Sequence, residues 1–312
     1  MAALVMALAV SSCSEPIADL REVDTFAQAK PVWAEGRETE KNLTLHFREQ
    51  FNSYFASTAY VKLTASCDYR LKVNGEFVAH GPSVAAHDFY RIDCYDIKPY
   101  LKFGTNIVAL EVAGYNDDNY YLLNQPSFLQ AEVEVNGKVV AATGKDFTAY
   151  DLKQRRQDVR EFSFQRPYIE HYVLDPAYEE WAVKKDWAEG EPVKLAEQEA
   201  KQLLSRHVPY PDYTVHQAEQ IADNLYSFKC NSSGFLGVQL QVAEPTSLRL
   251  GFDEILSGER VNPGRMGCYA YVTYELQPGT YTLESFEPYT MKLMEVYVDK
   301  GSCQVERVYM RD

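Results

Sequence analysis

Short runs of alternating apolar and polar residues, punctuated by Gly, Pro, Asn and Asp, recur along nearly the whole chain. A period of two turns one face of each run inward, so these runs predict half-buried strands. Leu43 to Arg48 and Ala59 to Ala65 are of this kind. So are Leu236 to Val242, Ser247 to Phe252, Tyr269 to Leu276, Tyr281 to Phe286 and Lys292 to Val298. Glu244-Pro245 and Pro278-Gly279 mark turns between them. Leu71 to Val78 and Val133 to Val140 each centre on Asn-Gly, which supplies the two positive φ angles of a tight type I′ hairpin. One stretch reads as helix, Val193 to Ser205, with Leu195, Ala200 and Leu203-Leu204 set among Glu, Gln and Lys. Val208 to Tyr213 follows, with two prolines in three residues, and predicts a stiff extended connector. The pattern is all-β: two antiparallel β-sandwich domains joined by a short helical connector.

Between the two hairpins lie Tyr95-Asp96-Ile97, Tyr100-Leu101 and Gly104-Thr105-Asn106 ahead of another strand. This order resembles the galactose-binding-like jelly roll, which needs short antiparallel strands, tight turns and one polar face per strand. Cys230 to Val298, with its Glu-Pro-Thr and Gln-Pro-Gly-Thr turns around Phe252-Asp253-Glu254-Ile255-Leu256, is similar to a second module. That module is the β-sandwich just ahead of the catalytic barrel in bacterial α-L-rhamnosidases of glycoside hydrolase family 78. Phe162 to Glu170 looks like that family's return strand, and Pro209-Tyr210-Pro211-Asp212 resembles the stretch before its second sandwich. The resemblance runs from about Trp33 to Arg311. With the N-terminal pattern considered below, the expected division is a lipoprotein signal at 1–13, a tether at 14–30, a first sandwich at 31–175, a one-helix connector at 176–212 and a second sandwich at 213–312. The family's catalytic acids belong to an (α/α)₆ barrel that would lie after Asp312, so no catalytic residue carries over. The expectation is a truncated, non-catalytic accessory part of a rhamnosidase-like hydrolase, without activity alone and partnered by a barrel encoded downstream. The alternative is a complete carbohydrate-binding or scaffold lipoprotein.

The N-terminus adds an address. Met1 to Val10 is apolar but too short to span a bilayer as a helix. Val10-Ser11-Ser12-Cys13 resembles a bacterial lipobox, although the usual positive n-region is absent. The resemblance implies acylation of Cys13 and a lipid anchor on the outer membrane or cell surface of a Gram-negative bacterium. The remaining cysteines, 67, 94, 230, 268 and 303, show no metal-ligand spacing, and no metal or other cofactor is expected. Cys230 and Cys268 flank one sandwich segment and could pair in an oxidising compartment, whereas a buried free thiol is the usual state of such residues.

A net charge of −14 over 312 residues argues against nucleic acid as a partner, because phosphate binding needs clustered Lys and Arg. The 23 Tyr and 15 Phe favour strands and also offer faces on which sugar rings stack. Asp253-Glu254 is the conspicuous carboxylate pair. Neighbours on a strand point to opposite faces and cannot flank one glycosidic bond, so the pair is expected to cap turns or meet Arg249 or Arg265. The better candidate for contact with a rhamnose-containing glycan is the loop holding Tyr115, Asn116, Asp117, Asp118, Tyr120 and Tyr121. Its amide and carboxylates suit sugar hydroxyls and its tyrosines suit stacking. The competing reading is an acidic turn whose tyrosines pack inward. Oxygen-rich loops also suit calcium, but no EF-hand spacing occurs.

Overall fold

The computed structural model describes residues 22–120, 122–187 and 190–312. The expected signal at 1–13 with Cys13, tether residues 14–21 and Tyr121 lie outside the described residues.

Alternation becomes strand almost wherever it was expected. The two Asn-Gly hairpins form between Tyr69–Val73 and Glu76–Gly81 and between Leu129–Val135 and Lys138–Ala142. Their turns have φ of 53° and 83° at Asn74 and Gly75 and of 50° and 75° at Asn136 and Gly137. Positive values at both central positions are the type I′ geometry that matches strand twist. In the first sandwich one sheet centres on Ala59–Ala65, flanked by Phe89–Asp96 and Leu129–Val135. The other runs Thr148–Asp151, Leu43–Ser53, Gly104–Gly114, Tyr69–Val73, Glu76–Gly81 in spatial order. Their inner faces share one core around Trp33, Leu45, Phe47, Leu63, Leu71 and Val112. Each such side chain withdrawn from water contributes roughly 1.5–3 kcal/mol.

The second sandwich is built on one long strand. Leu225–Val242 pairs with Tyr289–Lys300 over its first half and with Cys303–Arg311 and Gly279–Glu284 over its second. A register shift between Ser227 and Ser232, with Lys229 at φ 69°, interrupts its pairing with Tyr289–Lys300. Bulges of this kind bend strands, and here the bend lets one sheet curl over a core of Leu236, Val238, Leu250, Val272, Tyr281 and Met294.

The region between the sandwiches departs from expectation. The helix expected over Val193 to Ser205 is absent: Leu195–Glu197 pairs antiparallel with Val32–Ala34, and Gln202–Ser205 pairs parallel with Phe89–Asp96. Helix-forming Glu, Gln and Lys are a weak local preference, and two open sheet edges offered the backbone better partners. The single α-helix among the described residues is the four-residue turn Glu180–Val183. Glu170–Leu174, expected in the first sandwich, runs parallel beside Tyr271–Leu276 of the second sheet. The chain thus enters the second sheet, returns to the first, and leaves again at Val208 to Tyr213. That connector docks by its tyrosines: Cys94 N donates to Tyr210 Oη at 2.8 Å, and His80 N donates to Tyr213 Oη at 2.9 Å. All five cysteines from Cys67 onward are free thiols, so Cys230 and Cys268 are not paired.

Candidate functional site

The loop after Gly104–Gly114 divides into two parts. Tyr115 and Asn116 are buried, each 2 % exposed. Asn116 takes φ 47°, an angle asparagine tolerates, and its side-chain amide donates to Glu40 O at 3.0 Å and Ser127 Oγ at 2.7 Å. Tyr115 reaches across to the second sandwich, where its hydroxyl donates to the Glu287 carboxylate. The Arg155 guanidinium lies 5.8 Å from the Tyr115 ring and 4.8 Å from that of Phe286. Neither Tyr115 nor Asn116 presents a surface to a glycan: Tyr115 joins the two sandwiches, and Asn116 ties the loop to Glu40 and Ser127 within the first.

Asp117, Asp118 and Tyr120 stay at the surface, Tyr120 with 85 % of its area exposed. Asp117 meets Lys41 at 3.4 Å. Leu122 N donates to Asn119 Oδ1 at 2.9 Å, closing the turn that presents Tyr120. Phe164, from the segment that resembled a return strand, stands 6.1 Å from Tyr120 with its ring perpendicular and 70 % of its area exposed. Tyr120 and Phe164 thus present two largely exposed aromatic rings, with the exposed Asp118 two residues before Tyr120. Phe164 was missed because it lies 44 residues from Tyr120 in sequence. An apolar residue in Ser163-Phe164-Gln165, between polar neighbours and ahead of Pro167, was the available signal.

The Asp253-Glu254 pair has the structural role expected of it. Arg265 Nε lies 2.9 and 2.7 Å from the two Asp253 oxygens, and its Nη2 lies 3.3 Å from Glu254 Oε2. Arg249 pairs with Asp299 instead, at 2.8 and 2.7 Å. A heavily used carboxylate is Glu170, fully buried within the second sandwich. It accepts from Phe286 N at 2.7 Å, Glu287 N at 3.0 Å, and the hydroxyls of Tyr172 and Tyr289 at 2.8 Å each. A carboxylate with four donors is a joint between strands, and none of its lone pairs is left for a substrate.

Sequence reading also passed over a row of polar residues in the first sandwich's five-stranded sheet. His46 opposes Glu111, Glu111 opposes Arg70, and Arg70 opposes His80 on adjacent strands. They lie on the face away from the first core, yet His46, Glu111 and Arg70 are buried because Trp181 and the second sandwich cover that face. His46 stacks on Trp181 with centroids 3.6 Å apart, and burial holds its imidazole well below the usual histidine range. Burial and the nearby Arg70 push His80 down to about 3. Burial raises the Glu111 carboxyl, with Arg70 opposing the rise.

This pair of sandwiches matches part of several solved glycoside hydrolases. The structure of α-L-rhamnosidase from Aspergillus terreus superposes with a TM-score of 0.67 at 17% identity, over 91% of this chain and 36% of that one. The α-L-rhamnosidase from Dictyoglumus thermophilum gives 0.64 at 14% identity, over 94% of this chain and 35% of that one. The GH78 family rhamnosidase of Bacillus sp. GL1 gives 0.53 at 19% identity, over 89% and 34%. No protein-family model and no curated protein sequence matches the chain. At these identities the likeness is one of fold, and the chain spans about a third of each rhamnosidase. The expected resemblance to the non-catalytic part of family 78 rhamnosidases is therefore present as a likeness of architecture.

Proposed function

We propose that this protein is a non-catalytic accessory part of an α-L-rhamnosidase-like hydrolase and binds rhamnose-containing glycans for it. The fold likeness, covering nearly all of this chain but only a third of each enzyme, carries the accessory role. The exposed Tyr120 and Phe164 rings beside Asp117 and Asp118 carry the glycan contact. A rhamnose unit offers an apolar face to these rings and hydroxyls to the carboxylates. In this reading the cleaving carboxyls belong to a helical barrel that works with these sandwiches, and acylation at Cys13 holds the assembly on the outer face of a Gram-negative envelope. Hydrolysis of an aryl rhamnoside by the purified chain tests the accessory role: the substrate is expected to stay intact, and turnover would contradict it. Globomycin-sensitive processing and incorporation of labelled palmitate, both lost in Cys13→Ala, would support the anchor, and an unlabelled protein would refute it.

A further inference from the structure

A cleft of about 300 Å³ opens between the two sandwiches. Its floor is the cross-strand row of His46, Glu111 and Arg70, and Tyr172, Tyr274 and Arg311 face it from the second sandwich. That volume is several times the ~30 Å³ share of one water molecule and falls at the small end of ligand pockets. Burial of the row is costly unless its polar atoms find partners. Three of the residues lining the cleft carry buried polar atoms without a hydrogen-bond partner: Arg70 Nε, the Tyr274 hydroxyl and Glu111 Oε1, the last 4.0 Å from Arg155 Nη1. Tyr274 is 2 % exposed, so bulk water does not satisfy it.

The charges decide the kind of ligand. Lys72 is bound to Glu179, and Arg311 Nε lies 3.1 Å from Glu284. Arg70 and Glu111 oppose each other across one strand pair. Every cation of the lining therefore has an anion beside it, and a charged ligand would meet repulsion from one partner of each pair. A neutral molecule with several hydroxyls can donate to Glu111 and accept from Arg70 and Tyr274 at once. Leu152, Leu174 and the edge of Trp181 supply apolar wall for a ring or a methyl group. We infer that this cleft is a second binding site, separate from the Tyr120–Phe164 platform, for a small neutral polyol of monosaccharide size.

Calorimetric titration of the full chain with L-rhamnose, D-galactose and D-galacturonate tests the inference. Saturable binding of at least one neutral sugar, with weaker binding of the uronate, is expected. Tyr274→Phe should weaken that binding about three- to tenfold, the worth of one hydrogen bond, without lowering the unfolding midpoint, because the hydroxyl has no partner to lose. Glu111→Gln should weaken it as well, and both cleft variants are compared in a Tyr120→Ala background, which separates this site from the glycan platform. No saturable binding by any of the three sugars would overturn the assignment. Binding that survives both cleft substitutions, or that Tyr120→Ala abolishes, would do the same. A lowered midpoint in Tyr274→Phe would show the hydroxyl to be structural and would equally sink it.

Discussion

The loop from Tyr115 to Tyr120 and the row His46–Glu111–Arg70 are both polar, and they have opposite histories. The loop is conspicuous in sequence as a cluster of Asn, Asp and Tyr, yet Tyr115 is consumed in joining the sandwiches and Asn116 in bracing the loop within the first. The row is invisible in sequence because its members sit on three separate strands, each looking like the solvated face of an ordinary alternating run. The fold buries that face under a second domain. Whether a polar residue is free to bind depends on what covers it, and alternation within one strand carries no information about that.

The comparison breaks most sharply at the joint. Glu170→Ala would strand two backbone N–H groups and two tyrosine hydroxyls away from water. A loss of about 3–5 kcal/mol is expected in urea unfolding, read as a lower midpoint. A loss under 1 kcal/mol would show that the second sandwich does not depend on this contact. Within the loop, Tyr115→Ala should cost about 3 kcal/mol or more, as truncating a buried aromatic does. Tyr120→Ala, five residues on, should stay within about 0.5 kcal/mol of the parent. Equal effects from the two would erase the division between buried and presented halves.

The row makes its own prediction through acid. His80 keeps an exposed edge, but its Nε2 is sealed from water and has no partner. Its folded value of about 3 lies below the unfolded value of about 6.5, so the unfolded chain takes up the proton first. The stabilisation is complete above pH 6.5 and is lost as pH falls toward 3, amounting to ~2 kcal/mol by pH 5. Glu111, with a raised carboxyl, acts with the opposite sign and is present in both proteins being compared. His80→Leu should therefore lose about 2 kcal/mol less than the parent between pH 7 and pH 5. Parallel losses would show that the imidazole titrates in the folded state as it does in water.

The smallest effect concerns the two hairpins. Gly137→Ala meets only the cost of positive φ, about 1 kcal/mol, with open space around the added methyl. Gly75→Ala has the same φ problem and also places a Cβ 2.2 Å from Val183 Cγ1, where the helical turn bearing Trp181 packs. Gly75→Ala should be the more destabilising of the two in thermal unfolding, and the reverse order would remove Val183 from the hairpin contact.

Much of the architecture was legible in sequence because strand alternation and Asn-Gly turns are local signals. Leu71 to Val78 and Val133 to Val140 paired as their turns require. Val193 to Ser205 misled because its composition favours helix while its environment is two vacant sheet edges, which only the assembled fold reveals. Glu170–Leu174 was assigned to the wrong sandwich for the same reason, since a parallel pairing across a hundred residues leaves no local trace. At the proposed Tyr120–Phe164 site, half was readable: Tyr120 stood in a polar cluster, whereas Phe164 needed the packing of a distant loop to come within 6.1 Å.

The most direct test of the glycan-binding claim is a calorimetric titration of a rhamnose-containing oligosaccharide into the full chain and into the Tyr120→Ala, Phe164→Ala double variant. The account predicts saturable binding that weakens on the order of tenfold or more in the double variant, at an unchanged unfolding midpoint. Equal affinity in both proteins, or no binding in the parent, would contradict it.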